Sequence, residues 1–213
     1  VRSWQRRGFI CVPVRVADAT VPRLSNPQVW PYVSGAAGLW PGAAAGVQAS
    51  TIAIVDSGID AARADFGGRV VEQVTICSLP GNSEGDGRGH GTLVAGLAAG
   101  SRDGYSGVAP TAPIVSIDVM DDNGMAMTSD VIGAADWILQ NKDQFNIRVA
   151  NFSLEAAHAS TFLYDPLDKA VERLWQAGIV VVAAAGNSAV NGQQNGLPHA
   201  PANDPFVITV GAL

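Results

Sequence analysis

Thr51-Ile52-Ala53-Ile54-Val55-Asp56-Ser57-Gly58 opens the decisive stretch of this chain, and Gly89-His90-Gly91-Thr92-Leu93-Val94-Ala95-Gly96 closes it. The first segment is a β-branched, apolar run that ends in an acid, which reads as a strand buried on both faces. The second is a glycine turn leading into a helix of small residues, with a histidine at its start. An aspartate at the end of such a strand is costly to bury without a partner. His90 is the candidate partner. The positive end of the helix dipole disfavours its imidazolium, while a nearby carboxylate offsets that and fixes the ring tautomer. On these residues alone, a purely structural Asp–His contact is as good a reading as a charge relay.

Apolar runs like the first recur at 70–76, 114–119, 149–152, 179–184 and 206–210. Three helices are predicted between them. Residues 92–99 stop at Gly100, and 130–140 have Ser129 as N-cap. The third, 166–177, has Asp165 as cap, Pro166 at the first helical position, Asp168 in the first turn and Gly178 as stop. Its apolar stripe is Leu167, Ala170, Val171 and Leu174. This alternation predicts an α/β fold, a mostly parallel sheet with helices on both faces. Ligands bind beyond the carboxyl ends of strands in such sheets. Asp56 and residues 120–127, 153–155 and 185–187 then share one rim.

The chain has 213 residues, the length of one large domain. Hydrophobic residues at 47% against charged residues at 15% suffice for a sizeable core and argue against disorder. A net charge of −6 speaks against nucleic acid as the main partner, and no apolar run is long enough to span a bilayer. Cys11 and Cys77 are too few for a metal cluster or a disulfide framework, leaving two separate thiols or one disulfide. Val1 is preceded by no Met or signal peptide, so the sequence reads as an excerpt or a processed product. Upstream of Thr51, residues 9–16 fit a strand, and Pro22 and Pro27 keep any helix over 20–30 short. Trp30-Pro31-Tyr32 and Trp40-Pro41-Gly42 read as turns that tuck aromatics against a core, and 43–49 as a small-residue linker.

Ile54-Val55-Asp56-Ser57-Gly58-Ile59-Asp60 and the His90 segment resemble the Asp and His boxes of the subtilisin-like serine peptidases, the subtilases. Further blocks follow in that family's order. Gly107-Val108-Ala109-Pro110 resembles its turn before the third strand, and Ala150-Asn151-Phe152-Ser153-Leu154 its groove strand. Val180-Val181-Val182-Ala183-Ala184-Ala185-Gly186-Asn187 resembles its oxyanion-hole box, and Val207-Ile208-Thr209-Val210-Gly211-Ala212 its next strand. The resemblance implies a subtilisin-like catalytic domain over 35–213, with 1–34 as a propeptide remnant or an N-terminal extension.

The resemblance also implies roles. Asp56 would orient and support His90, His90 would shuttle the proton of a serine nucleophile, and Asn187 would donate its side-chain amide to the oxyanion. An extended polypeptide substrate would add as a strand between Gly124-Met125-Ala126 and Ser153-Leu154-Glu155. Ala183, Ala184, Ala185 and Gly186 would wall the pocket for the residue before the scissile bond. The chain's own propeptide is a further partner under this resemblance, the setting is secreted or cell-surface, and no cofactor is required.

Several residues depart from the family pattern. Its Gly-Thr-Ser nucleophile box does not occur here, and the order Asp, His, Ser puts that box beyond residue 213. The chain thus reads as the N-terminal two-thirds of a catalytic domain, expected to be inactive and poorly soluble alone. Glu155 stands where a glycine usually follows Ser-Leu, and a carboxylate there either favours basic substrate side chains or points to solvent. Leu93 is often histidine in the family. Asp65 sits where some members hold a structural calcium, but the 99–106 loop lacks an oxygen-rich run, so a calcium site there is the weaker reading. Asp118, Asp121, Asp122 and Asn123 could bind a hard cation but read more readily as a solvated acidic loop, and Asn82, Glu84, Asp86 and Arg88 as a surface connection. His158 and His199 have no evident partner. Asn151-Phe152-Ser153 is formally a glycosylation sequon but falls in a buried strand.

Two alternatives stand beside a serine endopeptidase. One is a catalytically inactive subtilase scaffold that binds peptides. The other is a nucleotide-binding domain, suggested by Gly85-Asp86-Gly87-Arg88-Gly89, which lacks the Gly-x-Gly-x-x-Gly spacing after a strand and any Lys-Ser/Thr phosphate clamp.

Overall fold

The computed structural model describes residues 30–40, 49–187 and 198–211. The strand expected at 9–16, the linker at 43–49 apart from Ala49, and Cys11 lie outside the described residues. In chain order the elements are α1 (Trp30–Val33), a 3-10 turn (Ala36–Leu39), β1 (Thr51–Asp56), β2 (Val70–Thr75), α2 (His90–Ala99), β3 (Ser101–Arg102) and β4 (Tyr105–Ser106). Then come β5 (Ile114–Asp118), α3 (Thr128–Asn141), β6 (Ile147–Phe152), α4 (Pro166–Gln176), β7 (Val180–Ala184) and β8 (Ile208–Val210).

Six strands form one sheet in the order β2-β5-β1-β6-β7-β8, with every neighbouring pair parallel. The sheet starts at β1, adds β2 and β5 on one side, then crosses over to add β6, β7 and β8 on the other. The reversal falls at β1, and the crevice beyond such a reversal is where α/β sheets bind ligands. Asp56 ends β1 there, in register with Asp118 at the end of β5.

Alternation along β1 feeds two cores. Ile54 packs with Ile59, Phe66, Ala95, Ala99 and Ile114 on the α2 face. Ala53 and Val55 join Val131, Ala134, Ile138, Leu167, Val171 and Leu174 of α3 and α4 on the other. Each fully buried Val, Leu or Ile side chain contributes about 1.5–3 kcal/mol. Burial on both faces holds for β1 and β5, but β2 alternates and β8 is exposed throughout, because both are sheet edges among the described residues. None of the helices described is long and apolar enough to cross a membrane.

Local chemistry sets the helix ends, with some departures from expectation. Asp165 caps α4, its Oδ1 accepting the Leu167 N–H at 2.8 Å. α3 begins at Thr128 rather than Asp130, so Ser129 lies inside the helix and its Oγ donates to Asp130 Oδ1 instead of capping. Trp30-Pro31-Tyr32 forms the start of a one-turn helix rather than a plain turn, since Pro is tolerated in a first turn. Trp40 does tuck in: its indole N–H donates to the carbonyls of Gly107 and Val108 at 3.1 and 3.2 Å. The 99–106 segment holds an antiparallel hairpin, β3 with β4, turned by Asp103-Gly104 with Gly104 at φ 80°.

Candidate active site

The site begins with a close approach between α2 and β1. At Gly91 an added Cβ would lie 2.1 Å from the Gly58 carbonyl oxygen and 3.1 Å from the Asp56 Cβ. Only glycine lets the first turn of α2 sit on the end of β1, and that places His90 over Asp56. His90 Nδ1 lies 2.6 Å from Asp56 Oδ1. Asp56 is fully buried, whereas the His90 side chain is 40% exposed, so one partner is fixed and the other faces solvent.

Burial pushes the Asp56 carboxyl above its ordinary value, and its hydrogen bonds to His90 and Ser57 pull it back. The Ser57 N–H donates to Oδ1 at 2.8 Å. Among the described residues, Oδ2 has no hydrogen-bond partner. With Asp56 ionised, Nδ1–H is the donor and Nε2 keeps its lone pair, the state of a general base.

Asp86 locks this arrangement. Its carboxylate accepts the Gly89 N–H at 2.7 Å, the Thr92 N–H at 2.8 Å and the Ser57 hydroxyl at 2.8 Å. It also accepts the Thr92 hydroxyl at 2.5 Å, and the Gly91 N–H donates to Ser57 Oγ at 3.1 Å. An anion at the helix N-terminus satisfies free N–H groups and complements the dipole. The 82–88 segment is therefore more than a surface connection: Asp86 ties β1 to α2, and Asn82 donates to Asp118 at 2.7 Å. An acid just upstream of a glycine that starts a helix is the sequence signal for this.

The acidic loop after β5 is likewise not simply solvated. Asp118 and Asp121 are 4% and 8% exposed, because their carboxylates serve as internal acceptors. Burial raises the Asp118 carboxyl. Asp121 Oδ1 accepts the N–H groups of Asn123 and Met125 at 3.0 and 2.8 Å, and these bonds hold its carboxyl below the usual range. The clamp presents Gly124, at φ 80°, with Met125 and Ala126 along the rim. Asp65 is engaged by Arg63 at 2.7 Å.

A cleft of about 410 Å³ gathers the strand ends. His90, Asn187, Gly124, Met125, Ala126, Ser153, Leu154 and Glu155 all line it. Ala184, Ala185 and Gly186 do not, contrary to their expected place as pocket wall. The Glu155 carboxylate covers Gly186 so closely that a Cβ there would overlap it. The Asn187 N–H also donates to Glu155 Oε1 at 3.4 Å. Two basic residues of the lining were not foreseen. Arg88 rests on Gly124 and donates to the Asn123 carbonyl at 2.5 Å. His199, without an evident partner in sequence, lines the cleft with Nδ1 at 2.7 Å from the Ala156 carbonyl, brought there by a strand bridge to Ala159. A second hollow of about 440 Å³ runs along α2 beside Arg63, Leu93, Leu97 and Tyr105, and includes neither Asp56 nor His90.

Comparison with known proteins gives a consistent picture. The model of the subtilase family, Peptidase S8, matches residues 48–213. Subtilisin DY of Bacillus licheniformis is 39% identical over 164 residues, 76% of this chain and 56% of that protein. Subtilisin-like protease 3 of Pseudogymnoascus destructans is 38% identical over 166 residues, 76% of this chain and 38% of that protein. The chain thus spans about half or less of these relatives' length. The crystal structure of a cold adapted subtilisin-like serine proteinase superposes with a TM-score of 0.61 at 34% identity, covering 76% of this chain and 54% of that one.

Proposed function

Because the chain belongs to the subtilase family, we propose that its cleft hydrolyses peptide bonds, with Asp56 and His90 as a charge relay and Asn187 as an oxyanion donor. The observation that carries this reading is the 2.6 Å contact between a buried carboxylate and a half-exposed imidazole at the mouth of the cleft that Asn187 also lines. A module that only bound peptides would need neither the buried acid nor its pairing.

In this reading the substrate lies extended between Gly124-Met125-Ala126 and Ser153-Leu154. His90 Nε2 takes the proton of a serine hydroxyl as its oxygen attacks the scissile carbonyl. Asp56 stabilises the imidazolium without becoming protonated. The Asn187 amide donates to the developing oxyanion, and His90 then returns the proton to the leaving amine. Water repeats the sequence on the acyl-enzyme. The nucleophile is a serine on a Gly-Thr-Ser segment, which residues 1–213 do not include. No step calls for a cofactor. The substrates are polypeptides, among them the chain's own propeptide, in a secreted or cell-surface setting.

The test is labelling of the full-length protein with a serine-directed phosphonate, alongside turnover of a peptide ester. Labelling is expected at one site and is lost in His90→Ala. Asp56→Asn should lower kcat by about 10⁴-fold, as in other relays of this type. Asn187→Ala should lower it by about 10²–10³-fold, the loss seen for the oxyanion-hole asparagine of subtilisin. Absence of both labelling and turnover would defeat the reading.

A further inference from the structure

Asn187 follows a glycine whose backbone lies in the left-handed region, Gly186 at φ 93°. The turn is held before that glycine, where the Ala185 N–H donates to the Val210 carbonyl at 2.7 Å. Beyond it the hold comes from Glu155. The Asn187 N–H donates to Glu155 Oε1 at 3.4 Å, and the carboxylate lies so close to Gly186 that a Cβ there would overlap it. Oε2 is buried, so the carboxylate is turned inward rather than to solvent. The backbone beside Glu155 is itself fixed. The Ala156 N–H donates to the Ala200 carbonyl at 2.8 Å, and the Ala156 carbonyl meets His199 Nδ1 at 2.7 Å.

We infer that Glu155 is a positioning residue, its carboxylate bracing the Gly186-Asn187 turn so that the Asn187 side chain is held toward the cleft. The inference rests on the peptidase reading above and adds a residue to its machinery. A glycine in a turn has several backbone conformations open to it, and a fixed neighbour selects one. Bonding the Asn187 N–H sets the direction of its Cα–Cβ bond and leaves the side-chain amide for the oxyanion. An oxyanion donor works through preorganisation, so a small misplacement is costly. The acceptor sits on the segment that would pair with substrate. One contact therefore keeps that segment and the oxyanion turn in register. Because the effect runs through a group that acts in the transition state, its loss should appear in kcat rather than KM.

The experiment uses the full-length protein and a double-mutant cycle on turnover of a peptide ester. Glu155→Ala is expected to lower kcat by about tenfold or more, with KM changed by less than about twofold. Glu155→Gln keeps an acceptor oxygen and should recover most of that loss. In the Asn187→Ala protein, adding Glu155→Ala should lower kcat by less than about twofold, because the group being positioned is gone. A merely structural role would lower Tm and act equally in both backgrounds. An unchanged kcat in Glu155→Ala, no recovery in Glu155→Gln, or an equal loss with and without the Asn187 amide would overturn the inference. Amide hydrogen exchange gives a readout free of turnover. Exchange at Asn187 should quicken by about tenfold in Glu155→Ala, while Ala185, bonded to Val210, stays as in the parent. No change at Asn187, or the same change at both amides, counts against the brace. If phosphonate labelling and turnover are both absent in the parent, the peptidase reading fails on its own, and exchange alone decides the brace.

Discussion

Asp86 holds more of the site than any side chain that would touch substrate. It accepts from Ser57, Gly89 and Thr92 and so ties the end of β1 to the start of α2. Asp86→Ala should cost about 1–2 kcal/mol of stability, as loss of a helix cap does, and should lower kcat by about tenfold or more as His90 loosens over Asp56. A thermal melt and a pH–rate profile check both. A merely structural role would leave the profile's lower limb where it was, whereas loosened pairing shifts it. Asp168 offers a second test. It is fully buried in the first turn of α4, both oxygens lack a hydrogen-bond partner among the described residues, and burial with the nearby Asp165 and Asp204 raises its carboxyl to about 7. The folded state therefore holds this proton more tightly than the unfolded chain. Stability from this group is full below the ordinary value of 3.8 and declines as pH rises toward 7. Asp168→Asn should stabilise the protein by about 2 kcal/mol at mildly alkaline pH, a rise in Tm of about 4–8 °C, and by almost nothing in acid. Melts at both pH values measure the difference, and an equal effect at both would contradict it.

Among the elements, α2 shows how small residues set geometry. Gly91, Ala95 and Ala99 are its buried positions, and Gly91 faces the Gly58 carbonyl with no space for a Cβ. Gly91→Ala should push α2 outward, costing about 1–3 kcal/mol and at least about tenfold in kcat/KM. Comparing Gly96→Ala isolates the effect, because nothing lies within 4 Å of a Cβ there. Unchanged kinetics in Gly91→Ala would refute the close-approach argument. α3 starts without a side-chain cap at Met127, whose φ of −80° and ψ of 138° suit an N-cap residue. Met127→Asp should add about 0.5–1 kcal/mol, read as a shift in denaturation midpoint. The ends of α4 were legible in sequence because Asp165, Pro166 and Gly178 are strong local signals. The start of α3 was not, since Ser129 looks like a cap and the backbone turns helical one residue before it. The β3–β4 hairpin was legible in principle through Asp103-Gly104, a dipeptide that favours two-residue turns.

Across the molecule, apolar surface remains uncovered on both sides of the sheet's ends. Leu93 is 62% exposed and Ile208 and Val210 each 55%, with Leu97, Val108 and Val180 also exposed. Exposed apolar area of this kind drives association. A polypeptide limited to residues 1–213 is expected to self-associate and to hydrolyse no peptide ester. Light scattering and an ester assay check this, and a monodisperse, active monomer would contradict it.

Asp56 and His90 could be paired as candidates from neighbouring letters, because an acid ending an apolar strand and a histidine opening a small-residue helix are local patterns, whereas the catalytic roles of both, and that of Asn187, were implied only by the resemblance to the subtilases. The parallel sheet was legible for the same reason, as buried strands declare themselves by composition. Contacts between segments far apart in the chain were not. Asp86 over Ser57, Glu155 over Gly186, His199 beside Ala156 and Arg88 on Gly124 each join residues that no periodicity relates. Packing chose those neighbours: burial and hydrogen bonding are satisfied across loops, and loop geometry follows from the assembled sheet rather than from the letters within each loop.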